Sequence, residues 1–168
     1  MLNTILIDAG PLIALFDKDD TYHEPVINFL RGKNYQFIST LAVLTEVCYM
    51  LDFSIKAQTD FFEWVNRHGL ILHEILQEDL LQVSSLINQY HDLPMTPGAV
   101  APLESFLSAN SLDAAQAAAL KERMDFADAT LVIAAEKRGI RSIISIDSDF
   151  DIYRLPGKRM IKNVFTQE

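Results

Sequence analysis

Several features that would point to familiar protein classes are missing from this chain. It has one cysteine among 168 residues, Cys48, which excludes an internal disulfide and a zinc site built from paired cysteines. It has no Gly-rich dinucleotide motif and no P-loop motif, and no apolar run approaches the roughly 20 residues of a membrane span. The N-terminus lacks the pattern of a secretory signal. We therefore predict a cytoplasmic protein with no membrane partner.

Positive charge is scarce as well. The chain has 14 lysines and arginines against 23 aspartates and glutamates, which gives a formal net charge of −9. This balance argues against a generally basic surface for nucleic acid, because such surfaces neutralise phosphates with many cations. The basic residues are unevenly spread, however, and half of them lie within residues 137–162. A basic flank beside an acidic centre is compatible with this distribution.

The chain does contain a regular alternation of strand-like and helix-like segments. TILID, YQFIS, LILHEI and RSIISI are rich in strand formers, and Gly139 is a typical stop for the helix that precedes the last of them. The spacing of apolar residues predicts helices over residues 24–31, 41–52, 56–67, 78–91 and 128–139. Such alternation is typical of a largely parallel sheet with helices on both faces. The length and the 49% hydrophobic content suit one α/β domain spanning residues 1–168.

Residues 96–124 interrupt this alternation. The stretch brings Pro97, Gly98 and Pro102 together and continues as SLDAAQAAALKER, an alanine-rich helix that we expect Ser111 to cap. Two interpretations stay open, a helical insertion within the domain or an ordinary surface loop followed by a helix. In both cases the stretch directly precedes two aspartates of the next segment.

Acidic residues lie where the apolar segments end or turn. They are Asp8 after TILI, Glu46 within LAVLTEVCYML, Asp125 and Asp128 at the start of DFADATLVIAA, and Asp147 and Asp149 after SIISI. The carboxyl ends of parallel strands meet at one edge of a sheet, so acids that follow different strands can converge there. An ionised Glu46 inside an apolar helix would be costly unless it were paired or bound to metal. The pattern therefore predicts one acidic site.

Convergence of these acids would have a chemical consequence. Carboxylates brought together repel one another, which raises their pKa values, and a divalent cation reverses that effect. Ligation by oxygen alone favours Mg²⁺ or Mn²⁺ over zinc. Such an ion can make an attacking water more acidic and neutralise the leaving oxygen of an in-line displacement. We therefore predict metal-dependent hydrolysis of phosphodiester bonds.

Each acid also has a purely structural interpretation. Asp8 would satisfy backbone groups of a turn, Asp125 would cap a helix, and Glu46 would form a salt bridge. Asp149 would be a solvated turn residue. A phosphatase of the haloacid dehalogenase type also places an aspartate after its first strand, but its second aspartate is replaced here by Gly10.

Four segments in order resemble the PIN-domain family, and in particular the VapC-like ribonuclease toxins of prokaryotic toxin–antitoxin pairs. They are LIDAGPLIALFDKDDTYH, LAVLTEVCYML, MDFADATLVIAAEKRG and SIISIDSDFDIYR. The resemblance implies a three-layer α/β/α sandwich with a central, mainly parallel sheet, and cleavage of RNA with Mg²⁺ or Mn²⁺. It also implies a homodimer and a VapB-like antitoxin as partner. The catalytic and metal-binding quartet of the family corresponds to Asp8, Glu46, Asp128 and Asp147, with Asp149 as a further metal ligand.

Other residues are expected to support this site. Thr45 and Ser145 are candidates for holding carboxylates or water by hydrogen bonds, with packing and a local backbone bond as the alternative. Asp125 precedes the quartet member of its helix and is assigned a supporting role. The basic flank supplies three predicted RNA contacts, Arg138, Arg141 and Arg154.

One rival function belongs to a different class. A non-catalytic PIN-like module would dock RNA or a protein and keep the acids for stability. The complete set of acids argues against this, because clustered carboxylates without a cation only repel one another. The resemblance does not extend to residues 96–124, which similar proteins of this type usually lack. A lid, an addition to a dimer interface and a change in antitoxin access all stay open for that stretch.

Overall fold

A five-stranded parallel sheet forms the centre of the structure, a computed structural model that describes residues 3–91 and 124–165. The chain forms seven described strands, β1 (Asn3–Ile7), β2 (Tyr35–Thr40), β3 (Leu70–His73), β4 (Ser142–Ile144), β5 (Arg154–Leu155), β6 (Arg159–Met160) and β7 (Lys162–Asn163). The sheet has the order β3-β2-β1-β4-β7, with every neighbouring pair parallel. Strands β5 and β6 form a separate antiparallel pair. The predicted α/β class with a central parallel sheet is confirmed.

Six α-helices of the described residues connect and cover these strands. They are α1 (Ala9–Phe16), α2 (His23–Leu30), α3 (Leu41–Met50), α4 (Ile55–Trp64), α5 (Leu80–His91) and α6 (Phe126–Arg138). The predicted helices agree with α2 to α6, apart from small shifts at their ends. Within the described part of the chain, none of these helices is long and apolar enough to cross a bilayer.

The helices begin and end where local side chains satisfy the backbone. The Thr40 side chain caps α3, the Ser54 hydroxyl accepts a hydrogen bond from the backbone N–H of Ala57 at the start of α4, and Asp125 caps α6. Gly139 ends α6 with a φ of 67°, a conformation that glycine adopts without the steric cost of a side chain. The N-cap interpretation of Asp125 and the stop at Gly139 are therefore confirmed.

Helix α6 is the most deeply buried helix among those described. Its middle is buried almost all the way round, and small residues such as Ala129 and Ala134 let it approach the sheet closely. The Thr130 hydroxyl, which would otherwise be an unsatisfied polar group, shares a 2.7 Å hydrogen bond with Thr40 Oγ1 and donates to the Ala127 carbonyl at 2.7 Å. This packing fixes the N-terminal end of α6 against the carboxyl end of β2.

An aromatic cluster packs beneath α1 and α4. The rings of Phe16 and Phe61 meet edge to face at 5.3 Å, and Trp64 lies 5.7 Å from Phe16. Phe61 is fully buried, whereas Phe62 is 49% exposed. Gly69 lies under the Trp64 ring, where a Cβ atom would come within 2.2 Å of the indole. Only glycine allows this approach without displacing the ring.

The predicted insertion at residues 96–124 lies outside the described residues, except for Met124. Met124 is buried in the core just before α6 begins. The expected helix capped by Ser111 also falls outside the described part of the chain. Both interpretations of this stretch stay predictions.

Candidate active site

Two of the predicted site residues follow neighbouring strands of the sheet. Asp8 comes directly after β1, and Asp147 follows β4 by three residues. The backbone N–H of Asp8 donates to the Ile144 carbonyl at 3.0 Å, which joins the carboxyl ends of the two strands. Ser145 Oγ lies between them, donating to Asp8 Oδ2 at 2.8 Å and accepting from the Asp147 N–H at 3.1 Å. The expected meeting of acids at this edge is therefore seen for Asp8 and Asp147.

Asp8 is a buried carboxylate with two directed hydrogen bonds. Besides the bond from Ser145, its Oδ1 accepts from the Ala9 N–H at 2.7 Å and so caps α1. Burial raises the pKa of Asp8 to about 6 against the opposing effect of these two hydrogen bonds, with smaller contributions from the charges of Asp147 and Asp125. The structural interpretation of Asp8 is thus correct, and it is compatible with a role as a ligand.

Asp128 reaches the same region from the first turn of α6. Its N–H donates to Asp125 Oδ1 at 2.8 Å, and its own Oδ2 accepts from the Tyr153 hydroxyl at 2.9 Å. Burial raises the pKa of Asp128 to about 8, and the negative charge of Asp8 is the next largest cause. The two carboxylates therefore lie close enough to repel each other. Among the described residues neither forms an ion pair with an arginine or lysine.

The remaining aspartates lie around this pair. Asp147 is exposed and adds to the rise in the pKa of Asp8, whereas Asp149 is half-buried and adds to that of Asp128. Asp149 begins a short 3-10 helix, Asp149–Asp151, that leads toward Tyr153. These residues thus belong to the same electrostatic cluster as Asp8 and Asp128, at its solvent-facing side.

Glu46 does not have the apolar surroundings that its neighbours in sequence predicted. Glu46 lies in α3 as predicted, but it is exposed, so its ionised form has no burial cost that a metal must offset. Thr45 is exposed too, and its hydroxyl donates to the Leu41 carbonyl at 2.8 Å. The local backbone bond weighed as the alternative for Thr45 is therefore present.

The fit of this site to a hard cation depends on how many protein ligands the cation needs. Among residues 3–91 and 124–165, no three His, Cys, Asp or Glu side chains are grouped closely enough to hold a metal ion by themselves. Mg²⁺ usually keeps several waters and binds through one or two carboxylates together with phosphate oxygens of the substrate. Asp8 and Asp128 supply that number of carboxylates, and within the described part of the chain no nitrogen or sulfur ligand joins them in a metal-binding group. The residues present fit Mg²⁺ or Mn²⁺ better than zinc.

The three predicted RNA contacts lie in different surroundings. Arg138 is ten residues beyond Asp128 on α6, or roughly 15 Å along the helix axis, and Arg141 precedes β4 at the amino edge of the sheet. Arg138 Nε donates to His73 Nδ1 at 3.1 Å. Arg154 is 8% exposed, and its Nη1 donates to backbone carbonyls. Arg154 is therefore not an exposed RNA contact, whereas Arg138, Arg141 and the basic flank beside the acidic centre stay predictions.

Sequence patterns did not predict two residues of the site. Tyr153 is fully buried between the rings of Tyr90 and Phe150, at 5.0 and 5.3 Å, and these contacts aim its hydroxyl at Asp128. Its only sequence signal is its position at the end of SDFDIYR. Asn163 of β7 was not marked by any pattern, although it holds the segment that carries Ser145 and Asp147.

The contacts of Asn163 explain how that segment is fixed. Its Nδ2 donates to the Ser145 and Asp147 carbonyls at 2.9 and 3.2 Å, and its Oδ1 accepts from the Ser145 N–H at 3.3 Å. On the opposite side, a Cβ atom at Gly10 would lie 3.2 Å from Ile146 Cδ1, so glycine lets α1 approach this segment. The segment from Ser145 to Asp147 is therefore held from both sides.

Comparison with known proteins adds no assignment to this geometry. Neither a protein-family model nor a curated protein sequence matches the chain. The support for any chemistry at this site therefore comes from its own residues.

Proposed function

We propose that the protein is a PIN-like endoribonuclease that hydrolyses RNA phosphodiester bonds with Mg²⁺ or Mn²⁺, built as a three-layer α/β/α sandwich. One observation carries the proposal. Asp8 is a buried carboxylate and Asp128 a half-buried one; they repel each other, are each fixed by a hydroxyl donor, and form no ion pair with any described residue. Buried acids are normally paired with a basic side chain, so two neighbouring acids without such a partner suit a bound metal ion.

The protein groups have defined tasks in this proposal. Asp8 and Asp128 would hold the cation, and Ser145 and Tyr153 would orient the two carboxylates by their hydrogen bonds. When bound, the ion would supply positive charge for the phosphate oxygens and a more acidic water. Asp147 lies at the exposed side of the cluster, where it is accessible to a substrate or to water bound by the ion. Glu46 and Asp149 stay candidates for further ligands.

Exposed apolar side chains support the proposed protein partners. Tyr49, Phe53 and Ile55 follow one another between the end of α3 and the start of α4 and are 74%, 62% and 82% exposed. Apolar side chains clustered on a surface are typical of protein–protein contacts. We place the homodimer or VapB-like antitoxin contact of a cytoplasmic toxin here. RNA contacts by Arg138 and Arg141 would need a substrate that extends from the carboxyl edge of the sheet to its amino edge.

Cleavage of an RNA panel in Mn²⁺ tests the activity. We expect wild-type protein to cut at least one RNA, and Asp8→Asn or Asp128→Asn to cut on the order of 100-fold more slowly or less. The matched control is Asp60→Asn, which removes a surface aspartate of α4 that pairs with Lys56 at 2.6 Å. Equal cutting by Asp8→Asn and wild type would contradict the proposal, and no cutting by either would favour the non-catalytic binding module. Glu46→Gln decides whether α3 adds a ligand.

Metal binding can be tested without RNA. We expect Mn²⁺ to raise the melting temperature of the wild type and of Asp60→Asn, because a ligand that binds the folded state alone stabilises it. Asp8→Asn and Asp128→Asn should show a much smaller rise. Equal rises in all four proteins would show that the ion binds elsewhere.

A further inference from the structure

Arg154 is a buried cation without an acidic partner. It is 8% exposed, and its Nη1 donates to the carbonyls of Asp151 and Tyr153 at 2.6 and 3.1 Å. Burial raises the pKa of the Asp151 side chain against the opposing charge of Arg154, and no carboxylate of the described residues forms an ion pair with Arg154. Its Nε and Nη2 form no hydrogen bond with the described residues, and both atoms are in contact with solvent. Buried arginines are usually paired, so this one is available to an anion from solution.

The unpaired guanidinium lines a cavity of about 240 Å³. The cavity lies between α5, α6 and the turn that joins β5 to β6, and neither Asp8 nor Asp128 lines it. Lys158 adds a second cation from the turn, whereas Leu86 and Val132 contribute an apolar wall. A site that combines a few polar groups with apolar walls is typical of small-molecule pockets.

The charges of the lining residues restrict the ligand. Arg154 and Lys158 contribute two positive charges and Glu136 contributes one negative charge, so the cavity has a formal charge of +1. One Glu136 oxygen already accepts from Gln82 Nε2 at 2.6 Å. A monoanion balances this charge, whereas a doubly charged phosphate would be repelled by Glu136.

We propose that this cavity binds a small organic monocarboxylate, with the carboxylate on Arg154 and Lys158 and the alkyl part against Leu86 and Val132. The planar guanidinium matches the two oxygens of a carboxylate. The proposal is independent of the ribonuclease proposal, because it involves neither the acids of that site nor a metal.

Butyrate is a suitable probe, titrated into full-length wild-type protein at constant ionic strength and followed by ¹H–¹⁵N NMR. We expect saturable shifts at Arg154 Nε–H and along α6 with a Kd of about 1 mM, as suits a ligand of this size. Butyramide, which has the same shape without the charge, should bind at least tenfold more weakly. Inorganic phosphate should bind more weakly than butyrate.

Variants of Lys158 keep the test interpretable if Arg154→Gln does not fold. Lys158 has a φ of 59°, and asparagine tolerates this left-handed conformation better than most residues. Lys158→Asn should weaken butyrate binding about fivefold, whereas Lys158→Arg should keep it within twofold. Equal binding of butyrate and butyramide, no binding of either, tighter binding of phosphate, or unchanged affinity in Lys158→Asn would each overturn the proposal.

Discussion

The two ends of α6 place buried aspartates in opposite electrostatic settings. At the N-terminal end, Asp8 and Asp128 form no described ion pair, and burial raises both pKa values. At the C-terminal end, Asp79 pairs with Lys137 at 2.5 Å and accepts from the Leu76 N–H at 3.0 Å, and the bond to Lys137 is the largest cause of its lowered pKa. Asp79 is 4% exposed and Asp8 is 9% exposed. Burial alone therefore does not distinguish a candidate functional carboxylate from a structural one, whereas the absence of a paired basic side chain does.

The largest difference between the two ends of α6 is expected when the hydroxyl groups that donate to Asp8 and Asp128 are removed. We expect Ser145→Ala and Tyr153→Phe to weaken Mn²⁺ binding or RNA cleavage by roughly 10- to 100-fold, because each frees a carboxylate oxygen that is now oriented. Asp79→Asn, which alters the paired acid, should leave cleavage unchanged. Activity assays at saturating and limiting Mn²⁺ separate weaker Mn²⁺ binding from slower RNA cleavage. Equal losses in Tyr153→Phe and Asp79→Asn would break the comparison.

A second effect appears in the pH dependence of stability. The folded protein keeps Asp128 protonated up to about pH 8, whereas the unfolded chain releases that proton near pH 4, so the free energy of unfolding falls as pH rises between these values. Asp128→Asn removes this loss. We expect its melting temperature to exceed that of wild type by about 3 to 8 °C at pH 8 and to match it near pH 4. Parallel melting curves from pH 4 to pH 8 would contradict the raised pKa.

The smallest effect should appear at the paired end. Lys137→Met leaves Asp79 buried without its cation, which lowers the melting temperature at neutral pH. The pKa of Asp79 is lowered in the folded protein, so the ion pair stabilises above the unfolded pKa and is lost as pH falls through the folded value. The difference between variant and wild type should therefore shrink in acid. Adding Asp79→Asn to Lys137→Met should recover part of the loss, and no recovery would show that Lys137 acts through packing.

The fold and part of the site follow from local patterns. Asp8 and Asp147 were predicted to meet because residues that end parallel strands share one edge, whereas Asp128 was assigned to the same site by the family resemblance. The predicted apolar surroundings of Glu46 are wrong, because apolar neighbours in sequence do not guarantee apolar surroundings in space. Its own helix exposes Leu41 and Tyr49 to solvent.

Other features depend on distant parts of the chain and leave no local signal. Asn163 contacts Ser145 only because β7 pairs with β4. A strand as short as the two-residue β7 has no recognisable sequence pattern, so this pairing could not be predicted. Tyr153 reaches Asp128 because two other aromatic rings enclose it. The burial of Arg154 likewise depends on tertiary packing, which charge patterning does not reveal.

The hydrogen bond from Ser145 to Asp8 has a consequence for the order of folding. It joins residues 137 positions apart in the chain, so it is among the contacts with the highest cost of loop closure. At about 5 to 20 residues per second, a ribosome needs roughly 7 to 27 s after making Asp8 before Ser145 exists. Strands β1 and β2 can pair during this interval, but β4 cannot. A growing chain would therefore carry the first carboxylate long before it could assemble a complete site.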